Sequence, residues 1–275
     1  MRLRIEHATT YAYDLAARSI MQTLRLTPRS SEAQQVRDWR VETDVDARLH
    51  RSEDAFGNVV HTLYTEQPTQ TLTVKVFGEV ETTDTAGVLP PGQETLSPLV
   101  FLRDTTLTRA DRRIADFVEG LEAAVPLDRA HRLMARVHAA VAFEVGVTSP
   151  THTAAEVLEL GRGVCQDHAH VFIAGARRLG LPARYVSGHL MRADGLDDQE
   201  AAHAWAEAWI EDLGWIGFDP ANGICVTDHY VRVATGLDYL GAAPVRGASY
   251  GGGGERMSVR LSVRDADAQQ SQQQA

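Results

Sequence analysis

The chain's strand-like hydrophobic period first gives way at a stretch crowded with residues that interrupt regular structure. Gly87, Pro90, Pro91, Gly92 and Pro98 lie within residues 84–98. Proline lacks a backbone N–H and glycine lacks a Cβ, so this composition predicts a linker, 85–98, between two differently built halves. Ahead of it, residues 2–13 alternate through Leu3, Ile5, Thr9, Tyr11 and Tyr13. Further β-leaning segments run through Met21–Leu26, Trp39–Val45, Val59–Tyr64 and Thr71–Val80, separated by turn chemistry such as Asp54-Ala55-Phe56-Gly57-Asn58. Several short strands with no helical period predict an antiparallel, sandwich-like β domain over 1–84. It holds no cluster of chemically active residues, which makes it a structural or substrate-shaping module.

Behind the linker the period becomes helical. Thr108 is placed to cap a helix running to Val118, with Asp111 in its first turn. Residues 128–143 repeat Leu133, Met134, Val137, Ala140 and Val141 on one face. Thr153 and Glu156 have the spacing of a capping box ahead of Val157, Leu158 and Leu160. Strands are expected at 183–191, 202–210, 215–218 and 257–263. A second domain is thus expected over 99–264, with the glutamine-rich tail 265–275 too poor in apolar residues to order itself.

The formal net charge of −10 argues against a general nucleic-acid or anionic-membrane binder. No apolar run is long enough to span a bilayer. The start, Met1-Arg2-Leu3-Arg4-Ile5-Glu6-His7, alternates and is polar, unlike a signal peptide. Two cysteines, Cys165 and Cys225, do not make a disulfide framework, and a reduced thiol in the cytoplasm is the expectation.

Cys165 sits in Gly161-Arg162-Gly163-Val164-Cys165-Gln166-Asp167-His168-Ala169-His170, where a glycine-rich turn leads into a helix-like apolar run. Free cysteines are usually small buried hydrophobes. Here, however, a helix start offers unpaired N–H groups and a positive dipole end to a thiolate or an oxyanion. Cys225, in the short apolar run after Asn222-Gly223, reads as packing. A nucleophile needs a base and a group to orient the base. In strand 202–210, His203, Trp205, Glu207 and Trp209 share one face and an alanine row forms the other. His203 and Asp219 are sixteen apart, with turn-prone Glu211-Asp212-Leu213-Gly214 between them. A hairpin centred near Glu211 sets Asp219 directly opposite His203; a one-residue displacement of pairing sets them on opposite faces. Around this trio, Gln166 and Asp167 follow the thiol, with Asp167 read as a helix-start carboxylate or backbone tether. His189, on an adjacent strand, and Trp205 and Glu207 are candidates for the pocket or for support behind it. His168 and His170 are a poor metal pair, and neither a metal nor a cofactor is expected.

Four ordered motifs resemble the bacterial transglutaminase-like family: the Gly161–His170 stretch, Leu181-Pro182-Ala183-Arg184-Tyr185-Val186-Ser187-Gly188, His203-Ala204-Trp205-Ala206-Glu207, and Gly214-Trp215-Ile216-Gly217-Phe218-Asp219-Pro220. The first eighty or so residues look like the β-rich domain that often precedes that core. The resemblance implies an α+β, papain-like core of helices on an antiparallel sheet. It matches Cys165 to the nucleophile, His203 to the base and Asp219 to the orienting acid. Relatives tend to carry aromatic residues where His168 and His189 stand. The implied activity is cysteine-dependent acyl transfer on a peptide or protein amide, with a protease or amidase favoured. Glutamine transamidation or deamidation is the alternative, as are an acyl-CoA-dependent N-acetyl transfer and a catalytically silent binding or scaffold protein.

Overall fold

The computed structural model describes residues 1–89, 94, 96–122, 125–192, 194, 198–199 and 201–267. Alternation in the first third becomes strand, and the strands form two sheets. One runs Asp198–Gln199, Glu255–Asp265, Arg2–Ala17, Thr69–Thr82, Gln34–Thr43. The other runs Val245–Tyr250, Ser19–Thr27, Val59–Thr65, Arg48–Glu53. Tyr11, Tyr13, Ile20, Leu24, Leu26, Leu63, Leu72, Val74 and Val76 meet in one buried cluster that joins them as a sandwich. Each fully buried aliphatic side chain contributes about 1.5–3 kcal/mol.

The two last strands, which lie in the span expected for the second domain, pair with N-terminal strands. Val245–Tyr250 pairs with Ser19–Thr27, and Glu255–Asp265 pairs with Arg2–Ala17 from Leu3↔Asp265 to Tyr13↔Glu255. The C-terminal end therefore completes the N-terminal sandwich. Alternation announces a strand but not its partner, which here lies some 240 residues away in sequence. Of the expected tail, residues 268–275 lie outside the described residues.

The second sheet system runs Ile224–Cys225, Gly214–Asp219, His203–Ile210, Ala183–Leu190, Tyr230–Gly236. Val88–Leu89, inside the expected linker, also belongs to it, pairing Trp215↔Leu89 and Ile216↔Val88. A two-residue strand is too short for any period to reveal. Helices Arg112–Val118, Pro126–Ala140, Ala154–Leu160 and Cys165–Arg178 cover one face. The alanine row Ala204, Ala206 and Ala208 lets helix Cys165–Arg178 lie close, burying Ala169, Phe172, Ile173 and Ala176 against the sheet. The other end of the sheet meets the sandwich, where Val231 and Val233 pack with Leu3, Ile5, Val80, Leu261 and Val263.

Helix limits follow their caps. Asp111, not Thr108, caps the first helix, accepting from the Ile114 N–H at 3.0 Å. Thr108 is engaged elsewhere: its hydroxyl accepts from the buried Arg177 guanidinium at 2.6 Å. Thr153 and Glu156 form the anticipated capping box. Among the described residues no helix is long and apolar enough to cross a membrane.

Candidate active site

Gly161 ends helix Ala154–Leu160 in a left-handed conformation, φ 67°, a geometry glycine adopts without strain. Two residues later the chain must pass close to the next helix. A Cβ on Gly163 would lie 2.6 Å from Asp167 Oδ2, so only glycine fits there. That same oxygen accepts from the Val164 N–H at 2.8 Å and from the Thr148 hydroxyl at 2.6 Å. Asp167 thus ties the turn to the first turn of the helix. Cys165 is the helix's first residue and is half-buried, and Gln166 follows it, half-buried in the same turn.

His203 opens strand His203–Ile210, and Asp219 closes Gly214–Asp219. His203 Nε2 donates to Asp219 Oδ2 at 2.7 Å. The ring of Trp205 stacks beside His203, with centroids 6.2 Å apart, and shields the pair. The hairpin register differs from the expected one. Pairs Ile210↔Gly214, Trp209↔Trp215 and Ala206↔Phe218 centre the turn on Asp212, which takes a left-handed φ of 66°. Moving the centre by one residue shifts every partner by two. Two is the side-chain period of a strand, so His203 and Asp219 keep a common face but meet diagonally rather than directly opposite.

Asp219 is fully buried and surrounded by donors. Oδ1 accepts from the Ala221 and Asn222 N–H groups at 3.0 and 3.2 Å; Oδ2 accepts from His203, from Asn222 Nδ2 at 2.7 Å and from the Tyr230 hydroxyl at 2.8 Å. Burial pushes this carboxyl's pKa up. The bond and charge of His203, with the bonds from Tyr230 and Asn222, outweigh burial and hold it below the usual range. For His203, burial pulls the pKa down. The negative charge of Cys165, the bond to Asp219, the hydrogen bond with Cys165 and the Asp219 charge more than offset it, raising the pKa to about 10. The imidazole is therefore held between the Cys165 sulfur and the Asp219 carboxylate.

The remaining sequence candidates separate. Trp205 backs His203, as just described. Glu207 is buried on the same face but turns to arginines: Arg184 Nε donates to it at 2.5 Å and Arg232 Nε at 2.9 Å. His189 belongs to neither group. It is buried at the seam with the sandwich, edge-on to His7 at 5.8 Å and tilted against Trp39, and neither ring nitrogen has a hydrogen-bond partner among the described residues. His189 thus packs as an aromatic ring at the seam. His168 is buried with both ring nitrogens on carbonyl oxygens, Val164 O at 2.9 Å and Val141 O at 2.8 Å. His170 Nε2 accepts from the Tyr239 N–H at 3.0 Å. Among the described residues no three His, Cys, Asp or Glu side chains gather as metal ligands.

Sequence reasoning missed Asn222 and Tyr230. Asn222 carried a usable signal, since Asp-Pro-x-Asn is a turn in which an aspartate receives later N–H groups. Tyr230 carried none; it arrives on strand Tyr230–Gly236, across the sheet. A cavity of about 490 Å³ is not lined by Cys165. It lies between the loop 29–35 of the sandwich and the far face of the core sheet, and Trp205 and Tyr230 form part of its wall.

The transglutaminase-like superfamily pattern matches residues 113–220, and the bacterial transglutaminase-like N-terminal region matches residues 3–81. An uncharacterized protein of Mycobacterium leprae is 32% identical over 281 residues, covering 95% of this chain and 98% of that one. An uncharacterized protein of Mycobacterium tuberculosis (strain H37Rv) is 30% identical over 279 residues, covering 90% and 88%. The crystal structure of a proposed cysteine protease from Cytophaga hutchinsonii shares the fold, with a TM-score of 0.76 at 22% identity, covering 97% of this chain and 92% of that one.

Proposed function

We propose, from the premise that the chain belongs to the transglutaminase-like superfamily, that it is a cysteine-dependent acyl-transfer enzyme that hydrolyses amide bonds. The observation that carries this reading is the position of one imidazole. His203 is bound through Nε2 to the buried Asp219, which leaves Nδ1 to serve Cys165.

In this reading the Cys165 sulfur, as thiolate, attacks the substrate carbonyl carbon and a C–S bond forms. The oxygen takes the negative charge, for which the Cys165 backbone N–H at the helix start is a donor. The C–N bond then breaks as the His203 imidazolium delivers its proton from Nδ1 to the departing amine. Neutral His203 next removes a proton from water, which attacks the thioester; the acid leaves and Cys165 regains its starting state. Asp219 fixes the tautomer throughout and does not exchange protons itself. Water is taken as the acceptor because it is always present, whereas an amine acceptor requires a site that excludes water.

The test incubates wild type and Cys165→Ala with a cell-derived peptide mixture and reads the products by mass spectrometry. Cleaved peptides seen only with wild type are expected. Deamidated or cross-linked peptides would keep the nucleophile and replace the acceptor. Identical peptides from both proteins would overturn the enzyme reading.

A further inference from the structure

The floor of the 490 Å³ cavity carries charge in an uneven arrangement. Three adjacent strands of the core sheet each send one charged side chain there: Arg184 from Ala183–Leu190, Glu207 from His203–Ile210 and Arg232 from Tyr230–Gly236. Two guanidiniums against one carboxylate leave the sheet's own contribution one positive charge in excess. Arg184 is nearly inaccessible, and its guanidinium carbon lies 3.8 Å from the centre of the Trp215 ring and 5.5 Å from that of Phe101. Its Nε is spent on Glu207, so its two terminal nitrogens point away as a fork. A fork of this kind matches the two oxygens of a carboxylate.

That fork is taken by Glu94. Nη1 and Nη2 of Arg184 each donate to a different Glu94 oxygen at 2.7 Å, and Arg232 stands 3.8 Å from the same group. Glu94 differs from the other three. It comes from outside the three strands; its side chain keeps 34% of its exposure, close to the 32% of Arg232, where Arg184 keeps 3% and Glu207 1%. The sheet therefore presents a built seat of one desolvated and one half-buried arginine, and the group that fills it, Glu94, comes from outside those strands.

We infer that this seat is a carboxylate-binding site, occupied in cis by Glu94 and open to a carboxylate ligand that displaces it. The cavity beside the seat is large enough for a small organic acid or one acidic side chain. Its wall includes Trp205 and Tyr230, the two rings that touch His203 and Asp219, so a ligand here sits directly behind the triad. The inference does not depend on the hydrolase reading, since it concerns binding alone.

The test uses the full chain with Glu94→Ala and, should that variant fold poorly, Glu94→Gln. Glutarate is titrated by calorimetry, glutaramide serves as the neutral control, and a capped tripeptide with a central glutamate forms a second arm. Removing the cis competitor is expected to tighten glutarate or peptide binding by about tenfold or more, as freeing an occupied site does. Thermal melting should show the same ligand stabilising the variant more than wild type. Adding Arg232→Gln should abolish the gain. Binding by glutarate points to a free acid, and binding by the peptide alone to an acidic segment; either supports the seat. Equal affinity of wild type and variant for both ligands, or equal binding of glutaramide, overturns it.

Discussion

The Tyr230 hydroxyl donates to Asp219 Oδ2 at 2.8 Å, the same oxygen that receives His203 Nε2 at 2.7 Å. Burial, with the carboxylate charge behind it, pushes the phenol's pKa up, so Tyr230 stays a donor at every pH the fold survives. Tyr230→Phe keeps the ring and removes only that bond. A hydrogen bond to a buried charged group is worth about 1.5–3 kcal/mol, and a stability loss in that range is expected on urea unfolding. Tyr230 orients the acid rather than touching substrate in the proposed reaction. The kinetic effect should therefore fall on kcat, by about tenfold for 1.4 kcal/mol of lost positioning, with KM unchanged. A variant with wild-type kcat would mean that the other four donors hold Asp219 unaided.

His203 supplies a pH prediction. Its folded pKa, about 10, lies above the ordinary value of 6.5. The proton is thus bound more tightly when the chain is folded. This contribution to stability is complete below pH 6.5 and is lost as pH rises through about 10. Amide hydrolysis that relies on the imidazolium should fall along the same limb. NMR of the His203 ring should give a midpoint near 10, and Asp219→Asn should lower it. A midpoint near 6.5 in wild type would remove the basis for a resting imidazolium.

A Cβ at Gly163 has nowhere to go but into Asp167, at 2.6 Å from Oδ2 and 2.8 Å from Cβ. Gly163→Ala must displace the carboxylate that receives Val164 N–H and the Thr148 hydroxyl, and so move the start of the helix at Cys165. Iodoacetamide labelling of Cys165 is expected to slow in this variant while Cys225, on the separate strand Ile224–Cys225, labels unchanged. Equal Cys165 rates would show that the turn tolerates the clash without moving the thiol.

How much was legible depends on which contacts are local. The Gly161–Cys165 turn, the capping box at Thr153 and the face alternation of strand His203–Ile210 are set by neighbours in sequence, and each was readable. The diagonal pairing of His203 with Asp219 shares its face with the expected pairing because the turn centre moved by one residue and the partners by two. What periodicity could not supply was partnership across the fold. Strand Glu255–Asp265 alternates clearly but gives no sign that it belongs beside Arg2–Ala17. Tyr230 and Glu94 are likewise single residues whose roles exist only once distant strands and segments meet. His189 was misdirected for a related reason: its strand was found, but which side its ring faces depends on Gly188. A Cβ at Gly188 would lie 2.5 Å from Trp205 Cη2, so Trp205 covers that position and His189 faces the sandwich instead.

That seam makes the last prediction. Burial lowers the pKa of His189 to about 3, and of His7 beside it to about 4. Arg25 lines the same small cavity, with its charge paired to Asp54 at 3.0 Å. Both histidines are neutral when folded but take up protons near pH 6.5 when unfolded. Their contribution is therefore present above pH 6.5 and is lost as pH falls toward 4 and then 3. Each such group lowers stability by about 1.4 kcal/mol per pH unit in that window. His189→Phe keeps a ring against His7 and Trp39 and cannot be protonated. The variant should lose less stability than wild type between pH 7 and pH 5, measured by urea unfolding at each pH. Parallel losses in the two proteins would assign the acid sensitivity elsewhere, first to His170, which is also buried with a pKa of about 4.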